Sequence, residues 1–250
     1  MAQALPVEVY GAGLVFTRVG AVVMLMPGVG EATVSPRIRL ALALILSLAF
    51  YPILRANLPA VPATVGGLGA QMAIELLIGL GLGGLMRLFM AALAVSGEVV
   101  SLQTTLAFAQ TANPMEAAPS ASLGAFLSVL GITLVFATGL HQLFIAGMVR
   151  SYTLFPAGRG VPIADFAALE VRTFADVFAL GIQLSAPVIV FSLVFNIATG
   201  FVGRVMPQFQ IFFVATPLNV LFGLSIFAFS LGVFALVWVG RFRDFMQQLL

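Results

Sequence analysis

The sequence predicts an all-α integral membrane protein with about six hydrophobic helices, and three observations carry that reading. Of its 250 residues 61% are hydrophobic and only 8% charged, and the mean hydropathy is +1.14. Soluble domains carry roughly a quarter charged residues, because a chain folded in water needs a solvated skin. Six stretches can also be read against a bilayer core about 30 Å thick, which takes about 20 apolar residues as helix. Clusters of Pro, Gly and Asn separate those stretches, and no polar linker is long enough to divide the chain into separate domains. The expectation is one membrane domain over residues 1–250.

The first stretch covers residues 7–26 and is interrupted by Arg18. Pro27-Gly28-Val29-Gly30-Glu31 and Pro36 end it and start the second, residues 38–54, which Arg39 and Arg55 bound. Pro52, Pro59, Pro62 and Gly66-Gly67 make the next turn. The third stretch, residues 68–96, is long and holds Glu75 and Arg87. Asn113-Pro114 through Pro119 breaks the chain before the fourth, residues 123–149, which lies in a run free of charge between Glu116 and Arg150. The longest polar stretch, residues 150–176, contains Pro156 and Pro162 and is expected to be a loop. The fifth and sixth stretches, residues 174–202 and 211–240, meet at Met206-Pro207-Gln208. Six crossings would put Arg55, Arg150, Arg159, Arg172, Arg241 and Arg243 on one side and Arg37, Arg39 and Arg204 on the other. That bias favours both termini in the cytoplasm. Glu8, with no basic segment before the first apolar run, argues that this run is kept rather than cleaved.

Composition removes several kinds of chemistry. There is no cysteine, hence no disulfide, thiolate metal site or Cys nucleophile. Eleven basic residues, all arginine, stand against nine acids for a net charge of +2, too dispersed for a nucleic-acid patch. His141 is the one histidine, and no acid lies near it upstream before Glu116. Gly79-Leu80-Gly81-Leu82-Gly83-Gly84 satisfies G-x-G-x-x-G on paper. A dinucleotide site needs that turn between a strand and a helix, whereas here it sits inside an apolar helical run. Gly79 and Gly83, one turn apart, are better read as a small-residue face against which another helix packs. No cofactor is implied.

The charges inside the spans say more. Arg18, Glu75, Arg87, Glu98 and Asp176 are costly in lipid and have no partner within their own helix. Glu75 and Arg87, twelve residues apart, lie about 18 Å along the axis and roughly 120° around it. Each therefore needs another helix, another subunit or water. The pattern suits pins between helices or subunits better than a proton relay.

A set of landmarks, in order along almost the whole chain, resembles the FliR family, membrane subunits of the flagellar type III export gate. They begin with Pro27-Gly28-Val29-Gly30-Glu31 and Pro36-Arg37-Ile38-Arg39-Leu40-Ala41-Leu42-Ala43. Glu75 then heads a glycine-rich helix, followed by Glu98, Gln103 and Asn113-Pro114. Gly139-Leu140-His141, Ser151-Tyr152 and Pro156 continue the series. Arg204-Val205-Met206-Pro207-Gln208-Phe209-Gln210, with Pro217 and Gly223, closes it. Gln210 departs from the asparagine usual in the family, but a polar side chain remains. The injectisome counterpart is a sister family, and the Pro27–Glu31 and Arg37–Ala43 segments look closer to the flagellar branch.

The resemblance implies a non-enzymatic role in the bacterial inner membrane, at the flagellar basal body. FliR-like subunits join FliP-like and FliQ-like copies around a pore for unfolded polypeptides, and an FlhB-like subunit docks on it. In that assembly the hydrophobic helices are kinked and largely surrounded by protein, which would explain the five embedded charges. Residues 103–122 resemble the loop that plugs the closed pore, with Gln103, Phe108, Asn113, Pro114 and Met115 in it. The competing class is a self-contained secondary transporter, for which inverted repeats and broken helices are expected. No G-x-x-x-x-G-K-[ST] motif is present, so in either case energy comes from elsewhere.

Overall fold

A computed structural model describes residues 4–107, 122–160, 163–208 and 210–249. It is 86% helical, with seven α-helices and no strand among the described residues. We number them α1 (Ala4–Leu25), α2 (Pro36–Leu54), α3 (Val65–Gln103), α4 (Ser122–Ala137), α5 (Leu140–Leu154), α6 (Ile163–Val205) and α7 (Ile211–Leu249). A 3-10 turn, Arg55–Asn57, follows α2. Among the described residues five helices are long and apolar enough to cross a membrane, and the count reaches six if α4 and α5 act as one span.

Among the boundaries that differ from the sequence reading, three matter most. The fourth stretch is not one helix: it breaks at Gly139, whose φ of 75° lies in the left-handed region. Only glycine enters that region without steric cost, so α4 ends before it and α5 begins after it. The polar stretch 150–176 is only partly loop, because α6 begins at Ile163. The last helix runs past Gly240 to Leu249. In both extensions charged residues lengthen an apolar helix at its ends, where hydropathy alone gives no signal.

The chain gathers into two compact units, and α3, α6 and α7 each contribute to both. The first comprises Met1–Phe89, Gly139–Phe174 and Arg243–Leu250. In it α1 lies along α2, and α2 touches α5. The turn after α1 requires glycine twice. Gly28 has φ 85°, and a Cβ on Gly30 would sit 2.5 Å from the Met24 carbonyl oxygen. Glycines also set the α1–α3 approach. A Cβ on Gly79 would lie 2.5 Å from the Arg18 carbonyl oxygen, and one on Gly83 2.8 Å from Leu25 Cβ. The dinucleotide-like glycine run is thus a helix-packing face in mid-α3.

The second unit comprises Met90–Thr138 and Ala175–Phe242. Here α3 meets α4 at paired glycines, a Cβ on Gly97 falling 2.5 Å from Gly124 Cα. The Ser185 hydroxyl on α6 hydrogen-bonds Ser96 Oγ on α3 at 3.0 Å. Both serines are fully buried. Trp238, also fully buried, packs against Phe242 with ring centroids 5.2 Å apart.

Candidate functional site

Arg18 is the best-connected side chain in the first unit. It sits in the middle of α1, 1% exposed. Its Nε donates to Glu75 Oε2 on α3 at 2.6 Å. Its Nη1 donates to the carbonyl oxygen and hydroxyl of Ser151 at 3.1 and 3.3 Å. Its Nη2 donates to the Phe155 carbonyl at 2.9 Å, and the guanidinium carbon stands 3.9 Å from the centre of the Tyr152 ring. The last carbonyls of a helix lack intrahelical partners and carry partial negative charge. The Ser151 carbonyl already accepts the Phe155 N–H at 2.8 Å, so Arg18 adds a second donor there and serves the Phe155 carbonyl at the C-terminal end of α5 while neutralising Glu75, and one planar fork joins three helices.

That geometry follows from local sequence. Arginine presents five donors in a rigid plane, which lysine cannot do. Gly79, one turn beyond Glu75, admits the α1 backbone close enough for the ion pair to form. Among the described residues, Glu75 Oε1 and the Tyr152 hydroxyl of the node have no hydrogen-bond partner. Beside it, the Tyr10 hydroxyl donates to the Gln71 side-chain oxygen.

The five charged residues singled out from the sequence thus divide. Arg18 and Glu75 are an internal pair between helices. Arg87, Glu98 and Asp176 are exposed on the surface of the chain. Glu75 and Arg87, on one helix, take no part in a common pair.

The plug residues divide as well. Gln103, half-buried, ends α3, and its carbonyl accepts Ser192 Oγ from α6 and Asn219 Nδ2 from α7, each at 3.0 Å. Phe108, Asn113, Pro114 and Met115 lie outside the described residues. Ser192 and Asn219 were not apparent from the sequence as partners of Gln103. Their signal was faint: polar side chains on otherwise apolar stretches.

Of the other landmarks, Pro27, Gly28 and Gly30 build the first turn and Glu31 is half-buried beside it. Arg37 is exposed, and Arg39 is half-buried, its Nε without a hydrogen-bond partner among the described residues. Arg204, Pro207 and Gln208 are exposed at the α6–α7 turn. Among the described residues no three His, Cys, Asp or Glu side chains come together as a metal site.

Residues 9–245 match the family described as bacterial export proteins, family 1. A flagellar biosynthetic protein FliR from Caulobacter vibrioides is 55% identical over 240 residues, 96% of either chain. The chain belongs to the FliR family. Relatives of the same description from Escherichia coli and Aquifex aeolicus are 30% and 29% identical, over 84% and 94% of this chain and 80% and 90% of theirs. Family membership agrees with the landmarks, and the apolar helices fit a membrane location. For a FliR-family chain, the Pro27–Glu31 landmark has a direct structural cause, since its glycines are required by the turn that positions Arg18's helix.

Proposed function

We propose that this chain is a non-enzymatic subunit of the flagellar type III export gate. It lines the export pore with FliP-like and FliQ-like subunits, carries an FlhB-like subunit, and passes unfolded flagellar polypeptides through the inner membrane at the basal body. Membership of the FliR family supports the process. The observation that supports the assembly is the exposure of Arg87, Glu98 and Asp176 on helices of membrane length. A charged group facing hydrocarbon costs several kcal/mol by some scales, about 3 by others, and surrounding subunits remove that cost.

The test is to extract the tagged chain from flagellated cells in mild detergent and measure its native mass. The expected species is several times heavier than the 26.3 kDa chain and contains the other gate subunits. A monodisperse single chain that binds none of them overturns the proposal.

A further inference from the structure

Within the second unit, the end of α3 combines backbone strain with an exchanged hydrogen bond. Among the described residues the left-handed φ region holds Gly28, Gly139, Gly158 and one residue with a side chain, Thr105, at 59°. A β-branched residue is a genuine outlier there. In a chain with 25 glycines, a glycine at this position would remove the strain.

The chain leaves the helix at Thr104-Thr105 and resumes helical form at Leu106. A helix that ran on would give the Gln103 carbonyl the Ala107 N–H. Here that carbonyl accepts Ser192 Oγ from α6 and Asn219 Nδ2 from α7. Thr104 is fully buried against α7, where a Cβ on Gly223 would lie 2.4 Å from its Cγ2.

This catch is imperfect. Asn219 is 3% exposed, and its Oδ1 and the Ser101 hydroxyl have no hydrogen-bond partner among the described residues. If α3 ran on through Thr105, that residue's φ would return to the helical region and the Gln103 carbonyl would be satisfied within the helix. Ser192 can then bond a carbonyl one turn back on α6. Two neutral side-chain hydrogen bonds and one left-handed β-branched residue are worth similar free energies. The broken and continuous forms therefore lie close, which is what a two-state element needs.

We infer that residues 103–105 are a two-state hinge that works during export: Ser192 and Asn219 catch α3 in its broken form, and their release lets the helix run on through Thr105. The link to export rests on the proposed function; the two forms themselves do not.

The chain has no cysteine, so paired spin labels at Ala107→Cys and Val194→Cys report the distance from the far side of the hinge to α6. In the assembly extracted from flagellated cells, this background should give one main distance. Ser192→Ala and Asn219→Leu, singly and together, should add a second, its population rising about tenfold in the pair. Thr105→Gly should remove that second distance, raise the melting temperature by a few degrees, and yet lower export of flagellar polypeptide severalfold at unchanged assembly. Adding Asn219→Leu to Thr105→Gly should restore part of the export. A single unchanged distance in the folded Ser192→Ala/Asn219→Leu variant overturns the inference, as does full export from Thr105→Gly. Both outcomes leave the proposed function standing. Normal export from cells lacking the chain overturns the proposed function and the link to export with it, whereas the distances still decide the two forms.

Discussion

At the scale of single residues, the node around Arg18 decides most. A buried ion pair is weak evidence for net stability, but removing one partner leaves the other charge uncompensated, at a cost of about 3–5 kcal/mol. Glu75→Gln and Arg18→Leu should each cut the yield of folded chain sharply and lower its melting temperature in detergent. The double variant Arg18→Leu/Glu75→Leu should recover some of the loss, because no lone charge remains. A double variant no better than the singles would show that the hydrogen bonds to Ser151 and Phe155, not the ion pair, carry the effect. Arg87 makes the contrast. It is exposed, so Arg87→Leu should leave the melting temperature of the isolated chain within a few degrees of wild type. The same change should reduce the recovered gate assembly. Normal assembly with lost motility would instead favour a transport role for Arg87.

At the scale of elements, glycines set helix positions, and their substitutions separate packing from propensity. Gly79→Val drives a side chain into the Arg18 carbonyl and Ala21, and should destabilise by about 1–3 kcal/mol as overpacking. Gly84, on the same helix, has nothing within 4 Å of a Cβ. Gly84→Ala should be neutral or slightly stabilising, since glycine in a helix interior costs about 0.5–1 kcal/mol relative to alanine. Thermal melts of the two variants side by side are the measurement, and equal destabilisation would refute the packing account. Gly139→Ala tests the break between α4 and α5. Its φ of 75° should cost the variant about 1–2 kcal/mol, read as a lower melting temperature with unchanged helical content.

At the scale of the whole molecule, much of the apolar surface stays uncovered by the chain itself. Only 17% of the most apolar window of α7 is buried, against 50% for that of α3, and Phe229 on α7 is 90% exposed. Detergent extraction without partners should therefore leave a chain prone to aggregate, and co-expression with FliP-like and FliQ-like subunits should raise its monodisperse yield severalfold. Size-exclusion chromatography of the two preparations makes the comparison, and an equally stable solitary chain would argue for a self-contained transporter.

The helical class, the apolar spans and the first turn were legible in residue order, because hydropathy and breaker chemistry act locally along the chain. The identities of the embedded charges were legible too, since a lone Arg18 or Glu75 in an apolar run stands out. Their partners were not. Arg18 and Glu75 are 57 positions apart, and nothing in spacing says which charges meet and which face outward. The break at Gly139 was hidden because neighbouring residues are apolar on both sides, and hydropathy does not register a dihedral angle. Tertiary structure alone decided that Arg18 serves the C-terminal end of α5, that Gln103 is held by Ser192 and Asn219, and that Arg87, Glu98 and Asp176 remain exposed. The reason is that desolvation and hydrogen bonding depend on which helices come within about 3 Å of one another, and that is fixed by packing rather than by position in the sequence.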